Sequence, residues 1–354
     1  MTEAMQWFDP RDERFDWFNV ADWEPNADGV QPVRVTKAWR DRWPERTARR
    51  AKSSAGMALR FRTDSRKLVF RASFVDVPDT PAATPGAAWE RSRPNFFSLY
   101  RDGNYVASMS ALTHFEQQEV VIFDDREIAG NAKVQVLLPF YYRNSEIIFY
   151  AVGLDATAKL DRWAPDMRPR VFFHGDSITQ GHGVTSPRET YVWQVAEQLS
   201  CVALNFGFGG TAWADNIVAQ TIASRDDWDV LTIMLGTNSF AGTDSNGKAE
   251  TAAQYTAKYD AFLTTVRAAA PTKPILCITP ILNRADLERG GNHNGERPEA
   301  YRAGIARVVR QRQGADKNLH LADGLAMAND PLFLLVSDRV HPNDARHASY
   351  SQRC

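Results

Sequence analysis

Val171-Phe172-Phe173-His174-Gly175-Asp176-Ser177-Ile178-Thr179 joins a short apolar run to a glycine, an acid and a hydroxyl. This is the pattern of a buried strand running into a strand-to-helix turn. Four more apolar runs follow, at residues 203–206, 230–235, 274–279 and 319–322, with helix candidates over 191–199, 249–270 and 298–313. Strands alternating with helices imply a mostly parallel sheet covered on both faces. Chemistry in such a sheet sits beyond the carboxyl ends of the strands. The loops that matter therefore follow residues 174, 206, 235 and 279, together with the last loop before the C-terminal helix.

Four of these loops carry reactive or ligand-facing groups. Asp176-Ser177 alone reads first as an N-cap, but it also leaves the Ser177 hydroxyl beside the free N–H groups of a helix start. Asn205-Phe206-Gly207-Phe208-Gly209-Gly210-Thr211 is glycine-rich, which lets backbone N–H groups approach a ligand. Its spacing is not that of a dinucleotide fingerprint. In Gly236-Thr237-Asn238-Ser239, Asn238 is a turn residue or a side-chain amide donor to a developing oxyanion. Asp338-Arg339-Val340-His341-Pro342 sets an acid three residues before a histidine, so that one ring nitrogen is oriented while the other serves as a base. A histidine beside proline is more commonly structural. All four loops, however, fall where a parallel sheet gathers them.

In that order and spacing, Gly175-Asp176-Ser177-Ile178, Gly210, Asn238 and Asp338-x-x-His341-Pro342 resemble the sequence blocks of the SGNH (GDSL-like) hydrolases. The resemblance covers about residues 168–354. It implies a flavodoxin-like three-layer α/β/α domain, with Ser177 as nucleophile, His341 as base and Asp338 orienting it. It also implies an oxyanion hole from the Ser177 and Gly210 N–H groups and the Asn238 amide. Gly207 and Gly209 lie close to Gly210 as alternatives, and Ser239 stands where many members carry Asp.

The first 165 residues are expected to be β-rich. Residues 57–62 alternate in the strand period, 67–75 do so loosely, and 96–101 and 105–109 flank the turn pair Asp102-Gly103. Further short strands are predicted at 119–123, 134–138 and 146–152, with a Pro/Ala-rich loop over 78–88. The fold class predicted is thus an all-β sandwich (jelly-roll-like) domain, 1–165, before an α/β catalytic domain, 166–354. This order is similar to that of two-domain carbohydrate esterases and of a related acyltransferase group. Seven of the ten tryptophans precede Ala164, as sandwich core or as platforms for sugar. Trp213 and the loop 283–298 are candidates for one wall of a substrate cleft, with the β-domain supplying the other.

The bulk numbers narrow the class further. With 44% hydrophobic and 24% charged residues and a net charge of −1, the 354-residue chain is a globular protein and not a nucleic-acid binder. No apolar run approaches the roughly 20 residues of a membrane span, and residues 1–18 have no signal-like apolar core, so a cytoplasmic enzyme is expected. Three cysteines without framework spacing suggest neither disulfides nor zinc. Between Arg40 and Lys67 ten basic residues face three acids. That run reads as a solvated face with structural pairs, or as a patch for an anionic carrier such as coenzyme A. The expected activity is hydrolysis of an O-acyl, chiefly acetyl, ester of a carbohydrate or small molecule, with no metal or organic cofactor. The alternatives are transfer of the same acyl group to an alcohol and, remotely, non-catalytic carbohydrate binding.

Overall fold

The computed structural model describes residues 4–76, 95–111, 115–125, 130–140, 145–242, 250–328 and 340–351. The Pro/Ala-rich loop expected over 78–88 lies outside them, as does Asp338. The chain divides into two compact units. Met1–Lys37, Ala51–Asp166 and Thr185–Arg188 form one, and Ala38–Arg50, Met167–Val184 and Glu189–Cys354 form the other.

The first unit holds two antiparallel sheets. In one the strand order is Asp22–Asn26, Gly29–Val33, Ser145–Asp155, Lys67–Asp76 and Phe115–Asp124, with Met5–Phe8 also on Ser145–Asp155. The other runs Leu160–Asp161, Ala58–Thr63, Ala132–Leu137, Asn95–Arg101 and Asn104–Ala111, with Asp16–Phe18 on Ala58–Thr63. Alternation makes the core. Leu59 and Phe61 are fully buried and pack with Leu68, Phe70 and Phe74 of the facing sheet. Phe70 meets Phe97 across the two sheets at 5.6 Å between ring centroids. The Asp102-Gly103 turn has φ of 51° and 84°, the double-positive geometry expected of a two-residue hairpin.

In the second unit five parallel strands lie in the order Val202–Gly207, Arg170–Gly175, Val230–Met234, Ile275–Ile278 and Leu319–Ala322. Numbered by chain position this is 2-1-3-4-5, the flavodoxin-like order. Strand alternation aims Phe173 at Tyr191 of the helix Tyr191–Gln198, while His174 stacks on Phe262 of the helix Ala252–Ala269. Helices therefore cover both faces. No helix of the described residues is long and apolar enough to cross a membrane.

Two segments depart from the expected division at residue 165, and one of them, Thr185–Arg188, goes with the first unit. Residues 38–50, with the short helices Lys37–Arg40 and Glu45–Arg50, go with the parallel-sheet unit. The physical reason is Trp43. Its ring packs 5.8 Å from Phe206 and 5.3 Å from Phe208, and its indole N–H donates to Thr221 Oγ1 at 2.9 Å. The basic run around it is mostly engaged in structural contacts. Arg49 pairs with Glu45, Lys52 with Glu24 at 2.9 Å, Arg60 with Asp16 at 2.6 Å, and Lys67 with Asp124 at 2.9 Å.

Candidate active site

The nucleophile loop is assembled by short-range contacts. Asp176 caps the four-residue helix Ser177–Gln180 through Oδ1, which accepts the Ile178 N–H at 2.9 Å. The helix stops at Gly181, and the N–H groups of Gly181 and His182 both return to Ser177 O, at 3.0 and 2.8 Å. One tight turn thus fixes the Ser177 backbone from both sides. Burial pushes the Asp176 carboxyl above its ordinary value, while the Ile178 N–H and the nearby His341 act in the opposite direction.

Ser177 Oγ lies 2.6 Å from His341 Nε2, and both side chains are buried. With a neutral imidazole the hydroxyl donates and the ring nitrogen accepts. Two features hold His341 there. The His182 ring packs edge-on against it, with centroids 3.9 Å apart and planes at 82°. Gly183, at φ +103°, lets the preceding turn lie against the His341 loop; a Cβ there would meet His341 Cβ at 3.3 Å and the Pro342 carbonyl carbon at 3.2 Å. Farther along, His347 Nδ1 accepts the Tyr191 N–H at 3.0 Å, which ties the C-terminal helix Asp344–Ser351 to the helix Tyr191–Gln198.

The glycine loop is held differently. Gly207 N–H donates to Asn205 Oδ1 at 2.9 Å, and Gly209 N–H donates to Gln180 Oε1 at 2.7 Å. Both alternatives to Gly210 therefore have their N–H groups engaged. Gly210 sits at φ +70°, with nothing within 4 Å of where a Cβ would stand. A Cβ on Gly209 would meet Ser177 Cβ at 3.2 Å, so this loop runs beside the serine. Asn238, half-buried in the helix Thr237–Ala241, accepts the Ala212 N–H through Oδ1 at 3.0 Å. That contact settles which end of its amide faces the glycine loop and leaves the NH2 end for another partner.

The structure thus brings together Ser177 and His341 and sets the Gly209–Ala212 loop between Ser177 and Asn238. Asp338 is not among the described residues. Trp213 is buried, with the Arg46 guanidinium 5.5 Å from its ring centroid. The 283–298 loop is anchored on its own unit by the buried Asp286–Arg302 ion pair at 2.6 Å and by Arg302 Nε donating to Pro280 O at 2.7 Å. Sequence reasoning missed His182, Gln180 and Arg50. The glycines flanking His182 were a usable signal for a tight turn; Arg50 had none beyond its basic neighbourhood.

Residues 173–348 match the GDSL-like lipase/acylhydrolase family. No curated protein sequence matches the chain. Among solved structures, 98% of the chain superposes on 95% of a salicylyl-acyltransferase, SsfX3, from a tetracycline biosynthetic pathway, at 19% identity and a TM-score of 0.82. A GDSL-like lipase described as putative, from Bacteroides ovatus, is matched over 99% of this chain and 96% of that one, at 18% identity and a TM-score of 0.71. A family two carbohydrate esterase from Cellvibrio japonicus is matched over 99% and 96%, at 16% identity and a TM-score of 0.64. At these identities the structural likeness is one of fold. The family match is what reaches the chemistry, because it spans the loops of Ser177, Gly210, Asn238 and His341. Residues 173–348 are thus a GDSL-like lipase/acylhydrolase domain, that of an ester hydrolase of the SGNH type.

Proposed function

We propose that the protein is a serine esterase that removes an O-acyl group, acetyl above all, from a carbohydrate, with Ser177, His341 and Asp338 as its triad. The observation that carries this reading is the 2.6 Å contact between Ser177 Oγ and His341 Nε2. As the hydroxyl attacks the ester carbonyl, Nε2 takes its proton. Asp338, three residues upstream of His341, orients the ring through Nδ1. The tetrahedral oxyanion is bound by the N–H groups of Ser177 and Gly210 and by the Asn238 amide. Collapse expels the alcohol, which takes the proton back from His341. Water then releases the acyl group by the same steps in reverse order. Carbohydrate as the alcohol is supported by the fold shared with the Cellvibrio japonicus enzyme, itself a family two carbohydrate esterase.

A second reading keeps the acyl-enzyme and replaces water with an alcohol acceptor. It is favoured by the higher TM-score of the salicylyl-acyltransferase, 0.82 against 0.64. A p-nitrophenyl ester series from acetate to longer acyl groups tests the first reading. A sharp maximum at acetate, with release of free acid, is expected, whereas no turnover of any ester by the folded protein would overturn it. Partition of the acyl group between water and an added sugar then separates hydrolysis from transfer.

A further inference from the structure

We infer that Arg50, which lies more than a hundred residues before the nucleophile, is a positioning residue of the oxyanion hole. The inference rests on the reading above in which the Gly210 N–H binds the oxyanion. Arg50 is buried at the end of the helix Glu45–Arg50, and its Nε donates to the carbonyl oxygen of Gly209 at 2.8 Å. That oxygen and the Gly210 N–H belong to one peptide group. A peptide is conjugated and planar, so fixing its oxygen fixes the direction of its N–H. A cationic donor on the oxygen also draws electron density from the nitrogen and makes the N–H a stronger donor. In a buried setting this polarisation is poorly screened by water.

The neighbouring contacts act on the same short loop. Gly209 N–H is held by Gln180 Oε1 at 2.7 Å, so the peptide preceding the polarised one is also pinned. The Thr47 hydroxyl, one turn before Arg50, donates to Thr211 O at 3.4 Å, and Arg46 lies over Trp213. The helix Glu45–Arg50 therefore reaches Gly209, Thr211 and Trp213, the residues on either side of Gly210. Its cation at Gly209 O acts through the Gly210 peptide and does not touch the reacting atoms.

The test compares Arg50→Lys and Arg50→Gln with the wild-type enzyme. Each is measured with p-nitrophenyl acetate, with a trifluoromethyl ketone that adds the serine to form a hemiketal oxyanion, and with the matching methyl ketone that does not. Arg50→Gln is expected to lower kcat/KM and weaken the trifluoromethyl ketone by the same ten- to hundredfold, about what partial loss of one oxyanion donor allows. Methyl ketone affinity should stay unchanged. Arg50→Lys, with a shorter reach and a point charge, should lose about three- to tenfold in the same two quantities. A purely structural role would lower the unfolding temperature and leave the ratio of the two ketone affinities untouched. The inference is overturned by folded variants whose trifluoromethyl ketone affinity stays within twofold of wild type, or which lose equally toward both ketones. Should Arg50→Gln not fold, Arg50→Lys decides alone by the same criteria. The underlying reading fails separately, if Ser177→Ala binds the trifluoromethyl ketone as tightly as wild type.

Discussion

The two loops that meet at Ser177 are held in place by different means. The nucleophile loop is fixed by neighbours in the chain: Asp176 caps Ile178, and Gly181 and His182 close back on Ser177 O. The glycine loop is fixed from a distance, by Gln180, Asn238 and above all by a segment, residues 38–50, that precedes the rest of the parallel-sheet unit by more than a hundred residues. A reactive hydroxyl needs one tight turn to present it. An oxyanion site needs several N–H groups held at fixed angles to one another, and a loop of glycines cannot supply that rigidity alone.

Ser177→Ala gives the largest effect this contrast predicts. Turnover should fall by more than about a hundredfold while the fold persists, because among the described residues the hydroxyl bonds to His341, a partner in the chemistry and not in the core. Retention of more than about one part in a hundred of wild-type activity would remove Ser177 from the nucleophile role. Trp43→Ala tests the remote support. Removing a buried tryptophan that packs on Phe206 and Phe208 should destabilise the parallel-sheet unit by about 3–5 kcal/mol, read from denaturant unfolding, and should lower turnover with it. An unchanged unfolding midpoint would mean that residues 38–50 merely lie over the unit.

The same contrast separates what the sequence makes legible from what it hides. Strand-to-helix alternation from Arg170 onward is local, and each of the five strands lies where the apolar runs place it. The Ser177 turn is legible for the same reason, since cap, hydroxyl and terminating glycine follow one another in the chain. The helix Asn216–Ala223 escapes the sequence reading because its apolar stripe is short and interrupted by Gln220 and Thr221. The strands before residue 34 are only three to five residues long, too short to show a period. Arg50 was hidden more deeply. A buried arginine in a basic run has the same composition as an exposed one, and only tertiary packing distinguishes the cation at Gly209 O from its solvated neighbours.

Asn238 sharpens the comparison, because its two amide ends have separate duties. Asn238→Ala removes both the proposed donor and the acceptor for Ala212 N–H. Asn238→Asp keeps the acceptor and removes the donor. If the donor matters, both should lower kcat by roughly 10²–10³, about 2.7–4 kcal/mol, with little change in KM. The Asp variant should be no better than the Ala one, since its charge opposes the oxyanion. An Asp variant that regains most of the activity lost by Ala would assign Asn238 to holding the glycine loop and not to binding charge.

The smallest expected effect concerns the join between the two loops. His174, on the strand that leads to Ser177, stacks on Phe262 and has Nδ1 3.0 Å from Phe206 O, on the strand that leads into the glycine loop. A carbonyl oxygen only accepts, so Nδ1 carries a proton, and burial keeps the ring neutral in the folded protein near neutral pH. Burial lowers its pKa from 6.5 to about 4. As pH falls below 6.5 the unfolded chain takes up this proton first, so stability present above 6.5 is lost progressively toward pH 4. Between pH 6.5 and pH 5 the loss from this one group is about 1.5 kcal/mol. His174→Gln offers a side-chain amide that can still donate to Phe206 O and cannot titrate. It should lower stability near neutral pH, because the stack on Phe262 is lost, yet flatten the dependence between pH 6.5 and pH 5 by about that amount. Denaturant unfolding at four or five pH values measures the slope. A variant whose slope equals that of wild type would mean that His174 takes its proton without unfolding, and that the join between the two loops tolerates a charge.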